Sequence, residues 1–182
     1  MTVYIPVGIS GSGKSTYQKE NLPNVKVICP DTIRLKLTGD VSDQSMNTDV
    51  WTEAYNELAD YVEKRQDVYF SSTNLSTKAI GMIIDKVEET KKKKTPVYYK
   101  ILIMTDSNSE DLCRARVSND LKNNVVRSNT LTQVVDDDGN LLDYDVIHKQ
   151  AEAFKVVIKE LRPFLSDYLE NEKEIDYEIL EV

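Results

Sequence analysis

Short apolar runs along the chain predict the strands of a sheet. The first, Val3–Val7, is continuous rather than alternating and ends at a glycine, which is typical of a strand buried on both faces of a parallel sheet. The other predicted strands are Val25–Cys29, Val68–Phe70 and Val97–Met104. The tail from Ile175 to Val182 alternates apolar and polar positions, and this pattern predicts a last strand at an edge of the sheet.

Apolar residues at helical spacing predict helices between these strands. The clearest stripe, with spacings of one, three and four residues, is formed by Val50, Trp51, Ala54, Tyr55, Leu58, Ala59 and Val62. The other predicted helices are Ser15–Asn21, Asp31–Leu37, Ala79–Thr90, Ser109–Asp120 and Tyr144–Glu170. Pro163 is expected to interrupt or kink the last helix, because proline removes a backbone donor and clashes with the preceding turn.

Strands that alternate with helices predict an α/β fold, with a parallel sheet flanked by helices on both faces. The length of 182 residues suits a single domain over 1–182. Ligands of such sheets bind beyond the carboxyl ends of the strands. Three segments that each follow a predicted strand, Gly8–Ser15, Pro30–Arg34 and Ser71–Asn74, are therefore expected to meet at one rim.

Composition narrows the function classes. No apolar stretch approaches the roughly 20 residues that span a bilayer, and the first residues lack the basic region of a signal peptide. Cys29 and Cys113 lack disulfide-framework or metal-ligand spacing, and His148 is the only histidine, so we expect reduced thiols in a cytoplasmic protein. The net charge of −8 argues against wrapping a long nucleic acid, but a few arginines could still hold one end of a strand.

The first rim segment carries the most specific motif. Gly8–Ser15 reads G-I-S-G-S-G-K-S, the pattern of a loop whose backbone amides cradle phosphates at a helix N-terminus. Lys14 is expected to reach the β- and γ-phosphates, and the Ser15 hydroxyl is expected to ligate Mg²⁺. The motif predicts a P-loop NTPase-type fold that uses ATP or another NTP with Mg²⁺. The predicted nucleotide-binding residues are Gly8, Ser10, Gly11, Ser12, Gly13, Lys14, Ser15 and Thr16.

The second rim segment offers a candidate catalytic acid–base group. Asp31 follows the second strand, where a carboxylate can accept a proton from an attacking hydroxyl. The alternative is that Asp31 only caps the helix that follows. Arg34 lies one turn later on the same side of that helix, and it is either a ligand of a substrate phosphate or one half of a surface ion pair.

Together these segments resemble the polynucleotide 5′-kinase group of P-loop kinases, which includes phage end-healing kinases and zeta-toxin-like kinases. The matching residues are Gly8–Thr16, D-x-x-R at Asp31–Arg34 and S-T-N-L at Ser72–Leu75, within roughly the first 120 residues. The resemblance implies transfer of the γ-phosphate of ATP to a 5′-hydroxyl of RNA or DNA. It also implies that Asp31 is the general base and that Arg34 holds a substrate phosphate. A compact kinase of this pattern is typical of phages.

The resemblance also implies a helical lid over roughly 107–130. Arginines delivered by a lid stabilise the phosphoryl group in transfer, and Arg114, Arg116 and Arg127 are the candidates. Arg114 and Arg116 are two residues apart and point to different sides of a helix, so one of them is expected to serve. The alternative is a solvated helix face paired with Glu110 and Asp111.

One position departs from the family pattern. The group usually has an aspartate where Ser72 stands, and such a carboxylate orients Mg²⁺ through water in many P-loop proteins.

Three functions stay open at this stage: a polynucleotide 5′-kinase; a kinase of a nucleoside, nucleotide, sugar, modified base or other small hydroxyl substrate; and an ATP-binding protein with little transfer activity. The oligomeric state is left open. We interpret Trp51 and Tyr55 as core residues rather than a base-stacking platform. Lys91–Lys94 is interpreted as a solvated helix end, Asp136–Asn140 as a turn and His148 as a surface residue.

Overall fold

The computed structural model describes residues 1–92, 95–123, 125, 133–135, 141–143, 146–171 and 176–182. The strands are β1 Thr2–Val7, β2 Lys26–Ile28, β3 Val68–Phe70, β4 Tyr98–Ile103, β5 Gln133–Val135, β6 Leu141–Asp143 and β7 Asp176–Glu181. The α-helices are α1 Lys14–Asn21, α2 Pro30–Thr38, α3 Asn47–Glu63, α4 Thr77–Thr90, α5 Glu110–Lys122 and α6 Val146–Asn171, and a short 3-10 helix spans Thr105–Asn108.

Five strands form a parallel sheet in the order β2-β3-β1-β4-β7. Val3 of β1 is in register with Val68 of β3 on one side and with Tyr99 of β4 on the other. The tail forms the predicted edge strand, since Tyr98 of β4 pairs with Asp176 of β7. The antiparallel pair β5 and β6 lies outside this sheet and was not predicted.

Both faces of the sheet are covered, as predicted. Val68, Tyr69 and Phe70 are consecutive in β3 and are all fully buried. Because successive side chains of a strand point to opposite faces, helices must pack on each face. The α/β fold with helices on both faces is therefore confirmed. Phe70 also stacks on Trp51 and Tyr55, with ring centroids 6.4 and 5.8 Å away.

α6 continues through Pro163, so the predicted interruption there is wrong. The helix predicted over Ser109–Asp120 is α5, which runs from Glu110 to Lys122. No helix in the described part of the chain has both the length and the apolar content that crossing a membrane requires.

Candidate active site

The loop between β1 and α1 has the backbone geometry of an anion cradle. Gly11 and Gly13 adopt left-handed conformations with φ of 84° and 93°, which glycine adopts without a side-chain clash. Gly13 immediately precedes α1 and has no side chain with which to cap it. The first amides of a helix have no partner within the helix and can bind an anion, which the helix dipole also favours there.

Glycine is also required because the loop is pressed against the segment after β4. A Cβ atom on Gly8 would lie 2.7 Å from the Ser107 hydroxyl oxygen and 2.8 Å from Met104 Cβ. A Cβ atom on Gly11 would lie 2.6 Å from the backbone carbonyl oxygen of Cys113 on α5. The path of this loop therefore depends on both its own conformation and its neighbours.

Lys14 extends back over the loop. Its ammonium donates to the carbonyl oxygens of Gly8 at 2.9 Å and Ile9 at 2.7 Å. The Tyr69 hydroxyl donates to the Lys14 carbonyl oxygen at 3.0 Å and fixes the start of α1 on the sheet. Burial raises the pKa of Tyr69, which favours the protonated hydroxyl that donates this hydrogen bond.

Residues distant in sequence support the loop. The Ile9 amide donates to the Ser107 hydroxyl at 3.0 Å, and the Ser10 amide donates to the Gln150 side-chain oxygen on α6 at 2.8 Å. Sequence analysis missed both partners, which are 98 and 140 residues from the amides they bind. No local pattern marks either residue.

The segment after β3 is joined by hydrogen bonds to the end of β1, where the P-loop begins. Buried Asn74 has a φ of 50°, and its side-chain amide donates to the Pro6 carbonyl oxygen at 2.7 Å. The Gly8 amide donates to the Thr73 carbonyl oxygen at 3.0 Å. Thr73 and Asn74 thereby connect the end of β3 to the end of β1, and Ser72 lines the cleft beside them.

Asp31 and Arg34 form a pair on α2. Cys29 occupies the cap position and Pro30 begins the helix, so the alternative of Asp31 as the helix cap is wrong. The Arg34 guanidinium donates to the Asp31 carboxylate at 2.8 Å and to the Asn47 side-chain oxygen at 3.2 Å. The Arg34 side chain is only 5% exposed whereas that of Asp31 is 51% exposed, so this is not an ordinary surface pair. Within the described part of the chain, Arg34 Nε has no hydrogen-bond partner.

The two described lid candidates diverge, as the spacing predicted. Arg114 pairs with Glu110 at 2.6 Å, which matches the alternative of a paired helix face. Arg116 donates to the Gly11 carbonyl oxygen at 3.0 Å and to the Asp106 carboxylate at 2.6 Å. Arg127 lies outside the described residues.

These groups meet in a cleft of about 820 Å³. Its described lining contains Ser10 to Tyr17, Glu20, Asn21, Cys29 to Asp31, Arg34, Gln44, Asn47, Trp51, Ser71 to Thr73, Met104 to Asp106, Arg116, Asp120 and Val182. Lys14, Asp31, Arg34 and Arg116 thus share one cavity, whereas Arg114 is absent from its described lining. The expectation that the three rim segments meet is confirmed by this lining.

A sequence profile for a family described as AAA domain matches residues 3–137. The chain belongs to this AAA domain family. The matched range includes the P-loop, the Asp31–Arg34 pair and α5, so the cleft lies almost entirely within the family region.

Solved structures provide further comparisons. A candidate kinase from Chloroflexus aurantiacus is 12% identical, with a TM-score of 0.49, and the match covers 99% of this chain and 87% of that one. A fungal RNA kinase is 18% identical with a TM-score of 0.41, covering 96% and 91% respectively. A gluconokinase from Sinorhizobium meliloti is 14% identical with a TM-score of 0.41, covering 93% and 94%. A search of curated proteins returned no match.

Proposed function

We propose that this AAA domain protein is an ATP-dependent kinase that phosphorylates the 5′-hydroxyl end of a polynucleotide. The observation that carries the proposal is the half-exposed Asp31 carboxylate, held at 2.8 Å by a buried arginine in the cleft that the P-loop lines. A carboxylate there can receive a proton while the loop holds the phosphates of the donor.

In the proposed reaction, the acceptor hydroxyl oxygen attacks the γ-phosphorus of ATP. The bond from that phosphorus to the bridging oxygen breaks, ADP leaves with the bond's electron pair, and the hydroxyl proton passes to Asp31. Arg34 keeps the Asp31 carboxylate oriented, and its buried unpartnered Nε supports a role beside the acceptor. Lys14 stabilises charge on the transferring phosphoryl group from the P-loop side.

The residues present fit a nucleotide with Mg²⁺. The left-handed glycines and the uncapped start of α1 suit a polyphosphate, and the Ser15 hydroxyl and neighbouring Thr16 lie in the cleft at that helix end. Among the described residues, no three His, Cys, Asp or Glu side chains form a metal-binding cluster. Mg²⁺ would be held by Ser15 and nucleotide oxygens, and it would neutralise charge on the phosphates.

Arg116 is the proposed lid arginine among those described. It already reaches the P-loop through the Gly11 carbonyl oxygen, and its side chain is 42% exposed, which leaves room to move onto a phosphate. Arg114 is held at Glu110 and remains the weaker candidate. Arg127 stays a prediction from the sequence.

A second candidate is a kinase of a small hydroxyl substrate, such as a nucleoside, nucleotide, sugar or modified base. The observation that favours it is charge: the described cleft lining has only Lys14, Arg34 and Arg116 as cations, in a chain of net charge −8. The third candidate, an ATP-binding protein with little transfer activity, rests on Ser72, because serine cannot supply the carboxylate usual at that position.

Phosphoryl transfer from γ-labelled ATP tests these candidates. A 5′-hydroxyl oligonucleotide is offered beside a panel of nucleosides, mononucleotides and sugars. We expect label on the oligonucleotide end. We also expect a loss of about 10²- to 10⁴-fold in transfer by Asp31→Asn with ATP binding retained, because the amide cannot take the proton.

The matched control is Asp60→Asn, which makes the same chemical change at an exposed carboxylate on α3 outside the cleft. It should leave transfer unchanged. Label on small acceptors alone would support the second candidate, a kinase of a small hydroxyl substrate. Bound ATP with no transfer to any acceptor would favour the third.

A further inference from the structure

A second cavity opens beside the cleft, between α3 and α4. It has a volume of about 530 Å³ and is lined by Asn47, Thr48, Trp51, Thr52, Tyr55, Asn74, Ala79, Met82 and Ile83. We call this cavity the α3–α4 groove. Asn47 and Trp51 line both the groove and the cleft, so the two cavities are adjacent.

The lining of the groove suits a neutral planar group. None of its described lining residues is an aspartate, glutamate, lysine or arginine, so a phosphate would find no cationic partner there. The aromatic rings of Trp51 and Tyr55, with centroids 6.2 Å apart, and the thioether of the 45% exposed Met82 provide an adaptable apolar surface. Asn47, Thr48 and Thr52 add an amide and two hydroxyls, which can pair with the polar edge of a base.

The groove also lies at a suitable distance from the reacting centre. Asp31 contacts Arg34 at 2.8 Å, and Arg34 contacts Asn47 at 3.2 Å. Trp51 follows Asn47 by one turn of α3, where side-chain Cβ atoms are about 5–6 Å apart. A molecule with its hydroxyl at Asp31 can therefore extend past Asn47 and place its next group on Trp51, which is the layout of a single nucleoside.

We infer that the α3–α4 groove binds the nucleobase of the acceptor's 5′-terminal nucleoside, and that Trp51, Tyr55 and Met82 form its stacking surface. This inference rests on the proposed function, because it identifies the acceptor part that the same cleft holds. The interpretation of Trp51 and Tyr55 as core residues is incomplete: both pack on the core, yet both also line an open cavity.

The test compares two oligonucleotide acceptors that differ only at the 5′-terminal residue, which carries a base in one and is abasic in the other. With the unaltered protein we expect the abasic acceptor to have a KM about tenfold higher, since aromatic stacking of a base contributes binding of that order. The KM for ATP should be the same with both acceptors, because the groove does not contact the P-loop.

Met82→Glu is the informative variant, since Met82 is exposed, lines the groove and is absent from the described lining of the cleft. A carboxylate there should raise the KM of the base-bearing acceptor about tenfold and bring it close to that of the abasic one. The matched control is Val156→Glu, a like change at a 52% exposed apolar residue of α6 outside both cavities, which should alter neither KM.

Three outcomes would overturn the inference. Equal KM values for the two acceptors with the unaltered protein would refute it and leave the proposed function standing. Dissociation of an oligomer by Met82→Glu, with unchanged KM values, would instead identify the groove as a contact between copies of this chain. Absence of label from both acceptors would refute the proposed function, and the inference with it.

Discussion

The two walls of the cleft are built in different ways. The phosphate side, which we define as Gly8–Thr16 with its neighbours on α5, consists mainly of backbone: left-handed glycines, helix amides and carbonyl oxygens held by hydrogen bonds. The acceptor side, which we define as Asp31, Arg34 and Asn47 with the α3–α4 groove, consists of side chains from neighbouring helices.

Because of this difference, we expect the two sides to tolerate amino-acid substitutions differently. A backbone cradle recognises charge that every nucleoside triphosphate carries, and it needs few specific side chains beyond Lys14. Side chains on α2 and α3 can be exchanged without refolding the loop, so the acceptor side can alter specificity while the phosphate side is retained. Substitutions on each side should therefore separate nucleotide binding and stability from acceptor binding.

Lys14→Ala should produce the largest effect on the phosphate side. Removal of the ammonium that lies over the P-loop should lower the rate of transfer roughly 10³-fold, since its charge stabilises the transferring phosphoryl group. Steady-state kinetics with labelled ATP would measure this. Lys19→Ala removes an exposed ammonium from the same helix outside the cleft, and it should be neutral. A decrease below tenfold for Lys14→Ala would mean that the phosphate side depends on its backbone alone.

Gly11→Ala tests the packing of the phosphate side. The new Cβ atom meets the Cys113 carbonyl oxygen at 2.6 Å in a backbone with φ of 84°, so we expect a loss of about 3 kcal/mol in unfolding free energy. Gly39→Ala is the matched control: it has a similar φ of 78°, and a Cβ atom there meets nothing within 4 Å. It should lose only about 1 kcal/mol. Equal shifts in melting temperature would contradict a role for the contact with α5.

Arg34→Lys should affect the acceptor side alone. Lysine keeps the charge but cannot contact Asp31 and Asn47 together as the planar guanidinium does. We expect the KM for the oligonucleotide to rise roughly tenfold, from the loss of a charged hydrogen bond, while the KM for ATP stays the same. A rise in the KM for ATP instead would show that the two sides are not separable.

The rates at which Cys29 and Cys113 are alkylated provide a test on each side of the cleft. Cys113 on α5 is fully buried, and burial raises the pKa of its thiol, whereas Cys29 precedes α2 and lines the cleft. Alkylation near pH 8, followed by peptide mass spectrometry, should modify Cys29 faster than Cys113, since only the thiolate reacts and burial both shields the Cys113 thiol and raises its pKa. Faster modification of Cys113 would indicate that α5 opens away from the P-loop.

The raised pKa of Cys113 also makes the stability of the folded state depend on pH. The folded state holds this proton more tightly than the unfolded state does. The stabilisation is therefore complete below the pKa of the unfolded thiol and is lost as the pH rises through the raised pKa of the folded one.

Much of the fold followed from local patterns. The succession of strands and helices along the chain was predictable from apolar periodicity, because burial on both faces of a parallel sheet dictates continuous apolar strands. The P-loop was predictable because its requirements, glycines followed by Lys14 and Ser15, lie within eight consecutive residues. The meeting of three segments at one rim followed from the geometry of parallel strands.

Other features depended on the packing of distant segments. Nothing in the sequence indicates that Gln150 accepts from the Ser10 amide, that Ser107 supports Ile9, or that Asn47 joins Arg34 to the α3–α4 groove. The sequence by itself determined the P-loop pattern and the Asp31–Arg34 pair, because the residues of each lie close together in the chain. Only the tertiary structure decided which distant residues support the loop and how the α3–α4 groove forms beside the pair, because side chains from separate elements come into contact only after those elements pack against each other.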